Sequence, residues 1–172
     1  MKKIALFVIL VVFSIGVFGQ NVRHSIEFEA GFSMIDEAKG PCLGARYLME
    51  LNPYFVLAAS LSSSNGFCFD PSDNYHHYTS GYYSACVGAG GQVGFLKKRC
   101  RLRVLAEGGA AMFAKENVMY LHPSIGGTGE VLVKLSDALE AGVFISKDWM
   151  LCDEMVPATV GKVGVTLNFN IN

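Results

Sequence analysis

One stretch near the C-terminus decides the fold class: Lys162-Val163-Gly164-Val165-Thr166-Leu167-Asn168-Phe169-Asn170-Ile171. Its odd-numbered positions are all apolar, and its even-numbered positions are all polar or glycine. The stretch from Ser25 to Met34 repeats the pattern, with its apolar residues at even numbers. Successive side chains of a β-strand point to opposite faces, so this two-residue period predicts strands with one apolar and one polar face.

Six further segments between these two show the same alternation, with apolar positions over residues 43–51, 55–61, 83–95, 102–112, 125–133 and 139–145. Most of these segments are long enough to cross a bilayer, because a tilted transmembrane strand needs about 9–11 residues. The total of eight is even, as in bacterial outer-membrane barrels. The sequence therefore predicts an all-β fold: an eight-stranded antiparallel up-and-down transmembrane β-barrel.

The predicted connections differ in length in a regular way. Those at residues 52–53, 96–101 and 135–138 contain tight turns, whereas those at 35–41, 62–80, 114–123 and 146–159 are mostly longer. Short turns at one end and long loops at the other are typical of outer-membrane barrels, with turns in the periplasm and loops outside the cell. The apolar face is then expected to point to lipid, with outward aromatic residues near strand ends at Phe32, Phe55, Tyr83 and Phe95.

The polar face carries charges of both signs and many glycines, and it is predicted to line the lumen. Eight strands enclose only enough room for side chains or one small ligand. Unpaired charges in that space are costly, so acidic and basic groups are expected to pair across it. The sequence predicts a lumen plugged by a charge network of Glu27, Glu29, Arg46, Glu50, Arg103, Glu107, Glu130, Lys134, Glu140 and Lys162. A narrow conducting pore is the alternative.

The N-terminal segment has the features of an export signal. Lys2 and Lys3 precede an apolar run from Ile4 to Phe18, and Gly19 supplies a small residue before a cleavage site. We therefore expect a signal peptide at residues 1–19, cleaved to leave a barrel domain at residues 20–172. A hydrophobic content of 51% argues against a disordered chain, and a net charge of −1 argues against nucleic-acid binding.

An export signal, eight amphipathic strands and the terminal strand together resemble the small outer-membrane β-barrel proteins of Gram-negative bacteria, which are porin-like or carry an outer-membrane protein β-barrel domain. The resemblance implies an outer-membrane location and contact with outer-membrane lipid and the barrel assembly machinery. It also implies that extracellular loops are available to a surface partner. Many family members end in an aromatic residue that the assembly machinery reads, and the last aromatic residue here is Phe169. No cofactor and no metal site is expected, and the predicted role is structural or surface interaction without catalysis.

The alternative function is a lipid-modifying barrel enzyme. His122-Pro123-Ser124, with Glu130 on the same face, resembles the His-x-Ser pair and Glu of outer-membrane lipid A deacylases. A serine nucleophile needs an adjacent base, and the base needs an orienting carboxylate. Strand parity points these side chains into the lumen, away from lipid, so we expect an ordinary loop entering the sixth strand and no catalytic residues.

The longest loop holds another cluster, Asp70, Asp73, His76 and His77, which lacks a recognised metal-ligand spacing and is expected to be solvated. The chain also has five cysteines. Cys42, Cys68 and Cys152 fall at the predicted extracellular end, where one disulfide can form among the three. Cys86 is predicted in the lumen and Cys100 in a turn.

Overall fold

The computed structural model describes residues 22–35, 38–69, 77–97, 99–115, 118–151 and 159–171. The expected signal peptide, the loop cluster from Asp70 to His76 and Cys152 lie outside these residues. None of the described residues forms a helix with the length and apolar character to cross a membrane.

Eight strands close into one barrel. They are β1 (Arg23–Ile35), β2 (Ala38–Asn52), β3 (Phe55–Phe69), β4 (His77–Phe95), β5 (Cys100–Lys115), β6 (Val118–Lys134), β7 (Leu139–Met150) and β8 (Thr159–Ile171). Each strand pairs antiparallel with the next, and β1 pairs with β8 to complete the ring. The predicted eight-stranded up-and-down barrel is confirmed. We call the end with the β2–β3, β4–β5 and β6–β7 connections the turn end, and the opposite end the loop end.

The two faces of the strands are distributed as the alternation predicts. Apolar side chains such as Leu43, Leu61 and Ile145 stand on the outer surface, each about two-thirds exposed at 64–66%. Phe32, Phe55, Tyr83 and Phe95 also point outward. Polar and charged side chains such as Glu27 and Arg103 are buried inside. The barrel is therefore largely apolar outside, and its interior combines polar and charged side chains with buried apolar ones.

Several strands are longer than the sequence predicts. β4 begins at His77 instead of residue 83, β6 begins at Val118 instead of residue 125, and β7 ends at Met150 instead of residue 145. All four loop-end connections are therefore shorter than predicted: they span residues 36–37, 70–76, 116–117 and 151–158, and the second and fourth are the longer ones. Backbone hydrogen bonds hold a ladder together, so pairing continues where side chains no longer alternate cleanly.

Because β6 begins earlier than predicted, the segment His122-Pro123-Ser124 lies inside this strand and not in a loop. Pro123 has no N–H, but its carbonyl oxygen accepts a hydrogen bond from Leu151 N at 2.9 Å, just past the end of β7. The N–H and C=O of a strand residue point to the same side. The missing donor therefore faces the end of the β7 ladder, where proline is tolerated.

The prediction for Leu51 was also wrong. The alternation predicts that Leu51 points outward, whereas the structure buries it. The β2–β3 register shifts between Glu50 and Asn52, which turns Leu51 away from the outer surface. Asn52 Oδ1 then accepts hydrogen bonds from the backbone N of Tyr54 at 2.8 Å and of Phe55 at 2.9 Å, fixing the turn.

The seam between β1 and β8 is closed by two inward-facing glycines that lie opposite each other. A Cβ on Gly31 would stand 2.2 Å from Val163 O, and one on Gly164 would stand 2.2 Å from Ala30 O. Both obstacles are backbone atoms that cannot rotate away. Outward-facing Gly129 is different, because its nearest neighbour would be a side-chain carbon of Ile145 at 3.9 Å. The inside of the curved wall has no space for a side chain at the seam.

We expect Gly164→Ala to lower the free energy of unfolding by about 1–3 kcal/mol, the usual cost of forcing a methyl group into a closed contact. The matched control is Gly129→Ala, which makes the same chemical change on the roomy outer face and should change stability little. Urea titration of the refolded barrel measures both. Equal stability of the two variants would contradict the crowded seam.

Candidate functional site

The lumen holds a network of ion pairs, because five strands point acidic residues inward and three strands point the basic residues of the network inward. In the lumen, carboxylates of β1, β2, β5, β6 and β7 and cations of β2, β5 and β8 meet in three groups. The central cluster comprises Glu27, Glu29, Arg46, Arg103, Glu107 and Glu130. The other two groups lie toward the turn end and the loop end.

Arg46 organises the central cluster. Its Nη1 donates to Glu27 Oε1 at 2.6 Å, contacts Glu29 Oε1 at 2.9 Å and also donates to Glu130 Oε1. Its Nη2 reaches Glu107 Oε2 at 3.4 Å. One guanidinium thereby joins carboxylates from three strands, which are far apart in the sequence.

Arg103 binds two of the same carboxylates from the other side. Its Nη1 donates to Glu27 Oε2 at 2.7 Å and to Glu130 Oε2 at 2.8 Å, and its side chain is fully buried. Glu107 receives further hydrogen bonds from Ser60 Oγ at 2.7 Å and Thr128 Oγ1 at 3.0 Å. Such paired and hydrogen-bonded charges are the form in which buried ions are tolerated.

The turn-end cluster centres on Arg101. Its guanidinium donates to Glu50, to Glu140 Oε1 at 2.9 Å and to Gln92 Oε1 at 3.1 Å. Asn168 Nδ2 donates to the second oxygen of Glu140 at 3.1 Å. These contacts join β2, β4, β5, β7 and β8 across the lumen.

The loop-end cluster centres on Lys162. Its Nζ donates to Asp148 Oδ2 at 2.8 Å and to Ser62 Oγ at 2.7 Å, and it stands 5.0 Å from the centre of the Tyr82 ring. The Tyr82 hydroxyl donates to the same Asp148 oxygen at 2.9 Å. A cation, a carboxylate and an aromatic ring thus occupy the lumen at this level.

An apolar cap packs beside the loop-end cluster. It consists of the buried residues Ile35, Tyr82, Ala111, Phe113, Met150 and Val160, with Tyr120 against it. The cap places apolar side chains in the lumen next to the charged side chains of the loop-end cluster. Hydrophobic constrictions of this kind oppose ion passage by excluding water.

The structure brings nine of the ten predicted network residues into these clusters. Lys134 is the exception: its side chain is 43% exposed at the turn end and pairs with Asp137 at 2.6 Å. That hydrogen bond and the lysine charge hold the pKa of the exposed Asp137 carboxyl below its ordinary value. Lys134 is the last residue of β6, so its side chain leaves the lumen for water.

Three features were missed by sequence reasoning: Arg101, Asp148 and the apolar cap. The sequence analysis places Arg101 and Asp148 in connections. Both residues share the inward parity of their strands, so extending the alternation would have predicted that they face the lumen. The cap had no such signal, because its members come from five different strands and look like ordinary apolar residues.

Carboxylate oxygens of Glu27, Glu29 and Glu130 lie within 4.8 Å of one another, the spacing of a cation site. The cation they surround is the Arg46 guanidinium, which contacts all three. This acidic group therefore already holds its counter-charge.

The alternative catalytic residues are not assembled into a relay within the described part of the chain. Ser124 is buried in the lumen, and its Oγ lies 3.6 Å from Cys86 Sγ. His122 stacks on Tyr120, with 6.4 Å between ring centres, and its Nε2 has no described hydrogen-bond partner. Glu130 is engaged by two arginines. Cys86, Cys42 and Cys100 form no disulfide with one another, and the side chain of Cys68 and all of Cys152 lie outside what is described.

Comparison with known proteins supports the fold. No protein-family model and no curated protein sequence matches the chain. Among solved structures, the neisserial surface protein A (NspA) matches with a TM-score of 0.61 at 8% identity, covering 87% of this chain and 97% of that one. The N-terminal β-barrel domain of Pseudomonas aeruginosa OprF matches at 0.54 with 16% identity, covering 88% and 100%.

The attachment invasion locus protein Ail of Yersinia pestis, solved with the heparin analogue sucrose octasulfate, matches at 0.52 with 12% identity, covering 87% and 97%. At these identities the likeness shows the fold alone. The chain has the fold of the small eight-stranded outer-membrane β-barrels.

We expect Arg103→Met to lower the free energy of unfolding by about 3–5 kcal/mol, because it leaves Glu27 and Glu130 buried with half of their counter-charge. Lys134→Met is the matched control, since it removes a lysine from the exposed pair with Asp137 and should cost at most about 1 kcal/mol. Urea unfolding in vesicles measures the difference. A loss of equal size in both variants would mean that the lumen ion pairs contribute no more than surface pairs.

Proposed function

We propose that the chain is an outer-membrane protein whose barrel spans the bilayer, with the turn end in the periplasm and the loop end outside the cell. The outer surface carries this proposal. Val165, at the middle of β8, and Val143 beside it on β7 are exposed at 59% and 57%. Water-soluble monomers rarely expose apolar patches larger than a few hundred Å², whereas a lipid-facing band is apolar all round.

Aromatic side chains near both ends of the outer surface support the same placement. Tyr54, Phe55 and Phe95 lie toward the turn end, and Phe32 and Trp149 lie toward the loop end. Rings of this kind form girdles at the two membrane interfaces of outer-membrane barrels. The proposed export signal at residues 1–19 agrees with this location, and the barrel assembly machinery would insert the chain.

Within that membrane the barrel acts as a structural or surface-interaction element without catalysis. In this proposal the three lumen clusters and the apolar cap leave no water-filled path for a solute among the described residues. The long loop-end connections at 70–76 and 151–158 would then be the parts that face a partner outside the cell. The names of the similar solved proteins, a surface protein and an attachment protein, agree with this proposal.

The membrane placement is tested by two arginine substitutions on the same face of one strand. Val165→Arg should lower the free energy of unfolding from vesicles by about 2–4 kcal/mol, because a charge at mid-membrane is costly. Ile171→Arg, at the end of β8, should cost about 0–1 kcal/mol. Gel shifts between folded and heat-unfolded protein during urea titration report the values. A water-exposed outer surface would accept arginine at both positions equally.

The plugged lumen is tested by conductance. Wild-type protein in a planar bilayer should give no steady open channel, and neither should Phe113→Ala, because the ion-pair clusters still fill the lumen below the shortened cap. A heat-sensitive compact gel band verifies that each sample is folded. The proposal would be wrong if wild-type protein gave a stable ohmic conductance and Phe113→Ala increased it. That result would favour a narrow pore.

A further inference from the structure

The outer surface of the barrel carries charge at two places. Among the described side chains at outward-facing strand positions, Lys39 on β2 and Lys147 on β7 are the only Asp, Glu, Lys or Arg residues. Both are exposed, both are positive, and both lie toward the loop end. The acidic residues of the strands all have inward parity. Two lysines on an otherwise uncharged set of described outward positions need an explanation.

The strand register places the two lysines in one row across the barrel wall. Lys39 is the partner of Met34, Met34 is the partner of Gly161, and Gly161 is the partner of Lys147. The two lysine Cα atoms are therefore three strand spacings apart, or about 14 Å at 4.7–4.9 Å per spacing. Each ammonium stands at one end of a short row on the same side of the barrel.

The row has no side chain at Gly161, which lies between Met34 and Lys147. A Cβ built on Gly161 would meet a single side-chain atom within 4 Å, Met34 Cε at 4.0 Å. The space above Gly161 is thus open, with Met34 on one side and the stem of Lys147 on the other. The surface at Gly161 is therefore open to a ligand group that lies between the two lysines.

Apolar rows continue from the lysine row toward the middle of the membrane. The next row consists of Pro41, Phe32, Val163 and Ile145, and the one after it of Leu43, Ala30, Val165 and Val143. All eight side chains are on the outer surface and are exposed. Positive charge at headgroup level with aliphatic surface directly beneath matches the order of groups along a lipid molecule.

Trp149 indicates the membrane depth of Lys147. The Lys147 ammonium lies 5.6 Å from the centre of the Trp149 ring, a cation–π distance. Tryptophan is enriched where the hydrocarbon region meets the headgroups, so Lys147 stands at headgroup depth. Lysines that simply extend toward water would satisfy this depth too, but that explanation gives no reason for both to share one row.

We propose that Lys39 and Lys147 form a binding site for a lipid of the outer leaflet whose headgroup carries two phosphate groups, with its acyl chains on the apolar rows below. One phosphate faces each ammonium, because a row of about 14 Å is too wide for a single phosphate to meet both lysines closely. This inference rests on the membrane placement proposed above.

The test measures lipid binding by native mass spectrometry, with bis-phosphorylated lipid A titrated onto detergent-solubilised barrel. Lys39→Gln and Lys147→Gln should each raise the half-saturating concentration about five-fold, the effect of one basic residue near an anionic lipid surface. The double variant should raise it about 25-fold if the two effects add. Lys134→Gln is the matched control, with the same change of charge at the turn end, and should leave the concentration unchanged.

Two further probes identify the ligand. Monophosphorylated lipid A should bind more weakly than the bis-phosphorylated form, and it should respond to one of the two lysine substitutions much more than to the other. Trp149 is the one tryptophan in the sequence, so its fluorescence reports occupancy directly in wild-type protein and in Lys39→Gln, which leaves the tryptophan and Lys147 unchanged.

Several results would overturn the site: unchanged binding in the double variant, an equal loss in Lys134→Gln, or equal binding of phosphatidylglycerol, which has one phosphate. Insertion into phosphatidylcholine vesicles is measured separately. If the wild-type protein does not insert, the proposed membrane function fails and this inference fails with it. If it inserts normally but shows no preference for lipid A, this inference alone is wrong.

Discussion

The small radius of an eight-stranded barrel is the constraint on which the rest of the structure depends. Closing eight strands leaves an interior barely wide enough for side chains. On the inner side of the curved wall, the backbones of neighbouring strands approach so closely that Gly31 and Gly164 have no space for a Cβ. A Cβ on the outward-facing Gly129 would have ordinary space. Glycines therefore occupy the inward positions at the seam, and the long charged side chains at other inward positions extend across the axis to partners on other strands.

The charged lumen follows from this geometry. A long side chain that crosses a narrow space away from water must find its hydrogen bonds there, and an arginine meets this need with several donors in a rigid plane. Arg46 and Arg103 share Glu27 and Glu130 between them, so each carboxylate pairs with two cations and each strand is tied to strands that are not its neighbours. The interior is filled by the interactions that stabilise it. In the proposed function, these interactions take up the room that a channel would need.

The outer surface is subject to the opposite requirement. In the proposed membrane setting lipid offers no hydrogen bonds, and the described outward strand positions are mostly apolar, with charge only near the loop end at Lys39 and Lys147. Their common row arises from the antiparallel register of four strands, β2, β1, β8 and β7, which includes the seam that closes the ring. The proposed lipid site would thus form only when the first and last strands pair.

The sequence by itself determined the strand number, the two faces and the identity of most lumen charges, because a two-residue period survives any detail of packing. It identified Glu27, Arg46 and Arg103 as inward-facing, but not which carboxylate each arginine binds, since pairing across the lumen depends on the stagger between strands. It placed Arg101 and Asp148 in connections because the predicted strands stop at Leu102 and Ile145, whereas backbone pairing continues past both residues. The apolar cap and the Lys39–Lys147 row were decided by tertiary structure alone: their residues are distant in the chain, and only the closed register brings them together.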